Sequence, residues 1–123
     1  MAKKILIIDD DPDILHSIKA ILDSNGFASV VAMSGGEGVD MFKSQKPDLV
    51  LCDMMMERID EGTRVASEIR KIDTNVPVYL LSSIGAATAS NIEIDKLGFN
   101  GVFQKPVDPG TLVSSLKKSL KIL

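Results

Sequence analysis

The 123-residue chain contains one cysteine, one histidine, one tyrosine, four phenylalanines and no tryptophan. Each scarcity removes a class of explanation. Cys52 alone cannot close an internal disulfide, so stability must come from an apolar core, which a chain of this length can build, and a reducing compartment fits best. His16 alone cannot form a histidine metal cluster, and with Cys52 it makes no plausible nucleophilic pair. With few aromatic rings and a net charge of -3, there is neither a basic field nor a stacking platform for nucleic acid, so no direct nucleic-acid binding is expected. No apolar run approaches the roughly 20 residues needed to span a bilayer. Met1 to Lys4 is followed by only four apolar residues before Asp9, too short for a signal peptide. The expectation is a single soluble, cytoplasmic domain over residues 1–123, with no membrane partner.

What the chain does have is a regular alternation of short β-rich runs with helical periods, which predicts βα units around a parallel sheet. The first strand is expected over Lys4 to Asp9. A helix follows, with Pro12 at its first position, apolar residues at Ile14, Leu15, Ile18, Ile21 and Leu22, and Gly26 beyond its end. Asp11 reads as its cap. The second strand, about Ala28 to Ala32, has the weakest signal. Ser34 then caps a helix facing inward through Val39 and Phe42, so the glycines at 35, 36 and 38 belong to a helix start. They do not form a phosphate loop, for which the Lys and Ser/Thr are missing. The third strand (Leu49 to Cys52) precedes a helix with Val65, Ile69 and Ile72 on one face, and the fourth follows Pro77. A diffuse helix is expected through Ala86, Ala89, Ile92 and Leu97. The last helix buries Leu112, Val113, Leu116 and Leu120 and carries Lys117, Lys118 and Lys121 toward its negative dipole end. The fold class is therefore α/β: one doubly wound, five-stranded parallel sheet of order 2-1-3-4-5, flavodoxin-like, with five flanking helices.

The informative detail is how the apolar runs end. ILII stops at Asp9 and Asp10, LVLC at Asp53, VYLL at Ser82 and GVFQ at Lys105. In an open parallel sheet the carboxyl ends of the strands share one edge, and ligands bind there where the strand order reverses. Asp53, ending the strand beside the first, is the candidate nucleophile. Three carboxylates crowded there would repel: two unit charges roughly 5 Å apart at an effective dielectric near 20 cost about 3 kcal/mol. Such a cluster calls for a cation, and Mg²⁺ suits a few carboxylates with water and a phosphate oxygen. The Lys105 ammonium would neutralise part of the charge, Pro106 favouring an extended backbone at the lysine. Ser82 would donate a hydrogen bond to a phosphoryl oxygen. The three methionines at 54, 55 and 56 do not argue for a soft metal beside such hard oxygen ligands.

Taken together, IIDDDPDIL, SGGEGVDMF, PDLVLCDMMM, VPVYLLSS and LGFNGVFQKPVD resemble the receiver domain of bacterial response regulators over essentially the whole chain. The resemblance implies that Asp53 accepts a phosphoryl group from a phosphohistidine on a sensor histidine kinase. It further implies that Asp10 binds Mg²⁺ directly, Asp9 largely through water, and Met55 through its backbone carbonyl. Ser82 takes the hydroxyl switch position and Lys105 the phosphate-pairing position. Phosphorylation then biases a two-state equilibrium on the face of the fourth helix, fifth strand and fifth helix, altering binding to a protein target or a fused output domain. Such a protein assists its own phosphorylation and dephosphorylation but turns over no separate substrate. Three departures stand out: Glu57 where the family usually has Pro, Asp60, Glu61 and Gly62 where it has an Asp-Gly pair, and Val102 where it carries a switch aromatic. Phe103 cannot substitute, because successive strand side chains point to opposite faces. The alternatives are a degenerate receiver acting as a phosphate-independent interaction module, and a small phosphatase using the same carboxylates.

Overall fold

Short runs of Ile, Leu and Val flanked by helical periods give parallel strands that must be covered on both faces, and the structure follows that rule. A computed structural model describes residues 2–53, 61–82 and 99–121, with side chains from 64 onward in the second stretch. In it, β1 (Lys4–Ile8), β2 (Ala28–Ala32), β3 (Leu49–Asp53), β4 (Val78–Ser82) and β5 (Gly101–Gln104) form one parallel sheet. Its order is β2-β1-β3-β4-β5, as the sequence predicts. The helices are α1 (Pro12–Ser24), α2 (Gly35–Gln45), α3 (Glu61–Ile72) and α4 (Pro109–Ser119). Among the described residues there are thus four helices where the sequence predicts five. The fifth, expected through Ala86, Ala89, Ile92 and Leu97, falls outside the described residues, as do Met55, Glu57 and Asp60.

Strand alternation divides the core into two layers. Ile5, Ile7, Leu49, Leu51, Leu81 and Phe103 pack with Leu15, Ile18 and Leu22 of α1 and Leu112 and Leu116 of α4. Leu6, Ile8, Val50, Cys52, Val78 and Leu80 pack with Phe42 of α2 and Val65, Ala66 and Ile69 of α3. Full burial of each of the Ile, Leu, Val and Phe side chains stabilises by about 1.5–3 kcal/mol. Cys52 is a buried thiol outside any disulfide, and Val102 packs on the α2/α3 layer while Phe103 packs on the other. One expectation is corrected: Ile72 does not join the buried face of α3 but is 47% exposed. It is the last residue of the helix, and Ala66, fully buried, takes the place in the stripe.

Helix boundaries are set locally. Asp11 accepts from Asp13 N at the start of α1, with Pro12 following, and Gly26, just past the end, has φ +85, a left-handed conformation that favours glycine. Ser34 accepts from Glu37 N, while the Glu37 carboxylate accepts from Met33 N at 3.0 Å. Asp108 accepts from both the backbone N–H and the hydroxyl of Thr111, which hold its carboxyl below the usual range. At the opposite end of the sheet, Asn100 Oδ1 accepts from Val78 N and from the Arg70 guanidinium, each at 2.9 Å. This clasp pins the start of β5 to the start of β4 and so fixes the register in which Gln104 lies beside Ser82.

Close packing also constrains α2. A Cβ at Gly38 would lie 2.5 Å from Ile8 Cδ1 and 2.9 Å from Ile8 Cγ1. Ile8 is fully buried and stiff at χ1, so it cannot retreat freely. Gly38→Ala is therefore expected to cost about 1–3 kcal/mol through overpacking. Urea unfolding checks this, and a midpoint equal to the parent's would refute it.

Candidate functional site

The carboxyl ends of β1, β3, β4 and β5 meet at one edge because the register places Ile8 beside Cys52, Asp53 beside Leu81 and Ser82 beside Gln104. Asp9 lies just past β1 instead of closing it, although its N–H still bonds to Ala32 O at 3.0 Å. Asp53 is the last residue of β3, one residue beyond the strand end the sequence suggests. Side-chain oxygens of Asp9, Asp10 and Asp53 lie within 4.8 Å of one another. Asp9 and Asp53 are buried and Asp10 is exposed. The convergence expected of the three carboxylates is what the geometry gives.

Lys105 reaches back into this cluster from the loop after β5. Its backbone N–H donates to Ser82 O at 2.7 Å, which anchors the residue across the strand ends. Its ammonium lies 2.8 Å from Asp9 Oδ2 and donates a 3.0 Å hydrogen bond to Asp53 Oδ1. The sequence has the Lys105 ammonium neutralise part of the acidic charge, and the family resemblance pairs it with a phosphate. Its bridging of Asp9 and Asp53 was not foreseen, because nothing in residues so far apart tells which oxygens a long flexible side chain will reach. Ser82 is buried beside them.

The electrostatics follow from burial. Asp9 has its pKa raised, chiefly because burial disfavours the carboxylate and secondarily by Asp53. The Lys105 ammonium and the Asp11 N–H, which donates to Asp9 Oδ1 at 2.9 Å, only partly offset this. Burial pushes Lys105 down, but its contacts with Asp9 and Asp53 together outweigh that and hold it above its ordinary value. Among the described residues, the site is an anionic pocket with one well-anchored cation.

The donor set also fits a hard divalent cation. Asp9 Oδ2 is buried and, despite its close ion pair with Lys105, has no aligned hydrogen bond among the described residues. With Asp10 and Asp53 it offers clustered carboxylate oxygens, the ligand type magnesium prefers. The backbone carbonyl of Met55, the remaining expected ligand, lies outside the described residues.

A parallel sheet of order 2-1-3-4-5 carrying acidic residues, a hydroxyl and a lysine at its carboxyl edge defines the receiver class of flavodoxin-like domains. Residues 5–117 match the response regulator receiver domain, and the chain belongs to that family. It is 34% identical over 122 residues to the chemotaxis protein CheY of Thermotoga maritima, covering 98% of this chain and all of that one. It is 32% identical to the transcriptional regulatory protein GlrR of Escherichia coli, covering 95% of this chain but 26% of that protein. The chain spans only about a quarter to a half of several curated relatives it matches. Among solved structures, a response regulator from Chloroflexus aurantiacus superposes with a TM-score of 0.88 at 27% identity, covering 98% of this chain and 99% of the other. No helix among the described residues is long and apolar enough to cross a membrane.

Proposed function

We propose that this chain is a cytoplasmic phosphoacceptor, one receiver domain over residues 1–123, which takes a phosphoryl group onto Asp53 from the phosphohistidine of a sensor histidine kinase. The observation that carries this reading is the Lys105 ammonium held 2.8 Å from Asp9 and 3.0 Å from Asp53 beside clustered carboxylate oxygens. An Asp53 oxygen forms the new P–O bond as the imidazole nitrogen leaves. Lys105 balances charge spread over the phosphoryl oxygens, and the Ser82 hydroxyl donates to one of them. Asp9, Asp10, Asp53 and the Met55 carbonyl would hold Mg²⁺, which when bound supplies the neutralising charge that lets a phosphoryl group approach three carboxylates. The phosphorylated form then binds its protein target, separate or fused, differently from the free form. The chain acts on itself and turns over no separate substrate.

Intact-mass measurement after incubation with a small phosphodonor tests this. With Mg²⁺ the expected result is one labile phosphoryl adduct per chain, absent when EDTA is added. Multiple turnover of an added phosphoester without a stoichiometric adduct would overturn the reading in favour of a phosphatase. No adduct at any magnesium concentration would leave only an interaction module.

A further inference from the structure

Among the described residues, the outer strand of the sheet on the side away from β5 lacks the lysine, proline or bulge within the strand that commonly keeps an edge from pairing. β2 reads ASVVA, and Phe27 to Gly36 contain no charged residue although a quarter of the chain is charged. Ala28 N donates to Lys3 O, and Asp9 N donates to Ala32 O. In a parallel ladder of that register Ala28, Val30 and Ala32 serve β1, so the N–H and C=O groups of Ser29 and Val31 point away from it, where no described strand lies. Met33, directly after β2, is 47% exposed.

We infer that this edge pairs, antiparallel, with the same edge of a second copy of the chain, making one continuous sheet across a two-fold axis. Ser29 of each copy faces Val31 of the other, and each such pair exchanges both of its backbone hydrogen bonds. Self-pairing sets a strand against its own sequence, so any charge near the axis would meet a like charge. The uncharged stretch from Phe27 to Gly36 meets that requirement. The flanking helix adds complementarity. Lys19 and Asp23 of α1 both reach the edge, since Ser29 Oγ accepts from Lys19 Nζ and donates to Asp23 Oδ1, each at 3.0 Å. The axis sets α1 antiparallel to its copy on the same sheet face. Lys19 then lies opposite Asp23 of the second copy, and Asp23 opposite its Lys19, so the i,i+4 pair of one chain becomes two crossed pairs.

Sedimentation equilibrium of the full chain up to about 1 mM tests this. The expected result is a monomer–dimer equilibrium that Val31→Pro weakens at least about tenfold, since it removes an outward N–H without removing a bond to β1. Val31 contacts the core, so a second, exposed set of variants guards against misfolding. Asp23→Lys alone should weaken the dimer about three- to tenfold, and the double variant Lys19→Asp with Asp23→Lys should restore it. A chain that stays monomeric throughout, or a dimer indifferent to the charge reversal, would overturn the proposal.

Discussion

Asp53→Asn is expected to abolish the labile phosphoryl adduct while leaving the protein folded. The amide is close in volume to the carboxylate but is not a nucleophile toward phosphorus, so the effect is loss of the acceptor itself and not a graded slowing. The fold should tolerate the change because Lys105 keeps Asp9 at 2.8 Å. One of the carboxylates packed within 4.8 Å of one another also disappears. Intact mass and circular dichroism on the two proteins, treated identically, check both halves. An adduct of equal stoichiometry in the variant would remove Asp53 from its proposed role.

The second large effect concerns stability. In metal-free protein at neutral pH, Asp9→Asn should stabilise the fold, because burial disfavours the Asp9 carboxylate more than Lys105 and the Asp11 N–H favour it, and the amide is a neutral group of nearly the same shape. The pH dependence follows from the raised pKa of Asp9. The folded state binds that proton more tightly than the unfolded chain, so stability is greatest below the unfolded value of 3.8 and declines as pH rises through the folded value. The gain from Asp9→Asn should therefore vanish in acid and grow as pH rises through the folded value. Lys105, whose pKa is also raised, has the same sign of pH dependence in a more alkaline range. Its stabilisation is present below the unfolded value of 10.5 and is lost as pH rises through its elevated folded value. Magnesium should reverse the order, raising the Tm of the parent more than that of the variant, since a cation bound to the folded state alone adds about 2.7 kcal/mol at a hundredfold excess over Kd. Thermal melts at several pH values, with and without Mg²⁺, measure all of this. A variant less stable than the parent in EDTA at neutral pH would sink the argument.

Sequence patterning is weakest at edge strands and at helix ends. β2 gave a weak signal because an edge strand is only half-buried, and its pattern is intermediate along most of its length. Ile72 fits the helical period of α3, yet period alone does not say where a helix leaves the surface it covers.

The sequence alone determined the features whose causes lie within a few residues. These are the apolar strands, the Asp11 and Ser34 caps, proline at the start of α1, glycine beyond its end, and the polar residue that closes or follows every strand but β2. It also singled out Asp9, Asp10, Asp53, Ser82 and Lys105, because a parallel sheet gathers its carboxyl ends at one edge. Only the tertiary structure decided how these groups meet: that Lys105 spans Asp9 and Asp53, that Asp9 is fully enclosed while Asp10 is exposed, and that β2 is an outer strand of the described sheet with Lys19 and Asp23 beside it. Contacts between residues far apart in sequence depend on register and side-chain reach, and burial depends on every neighbour at once.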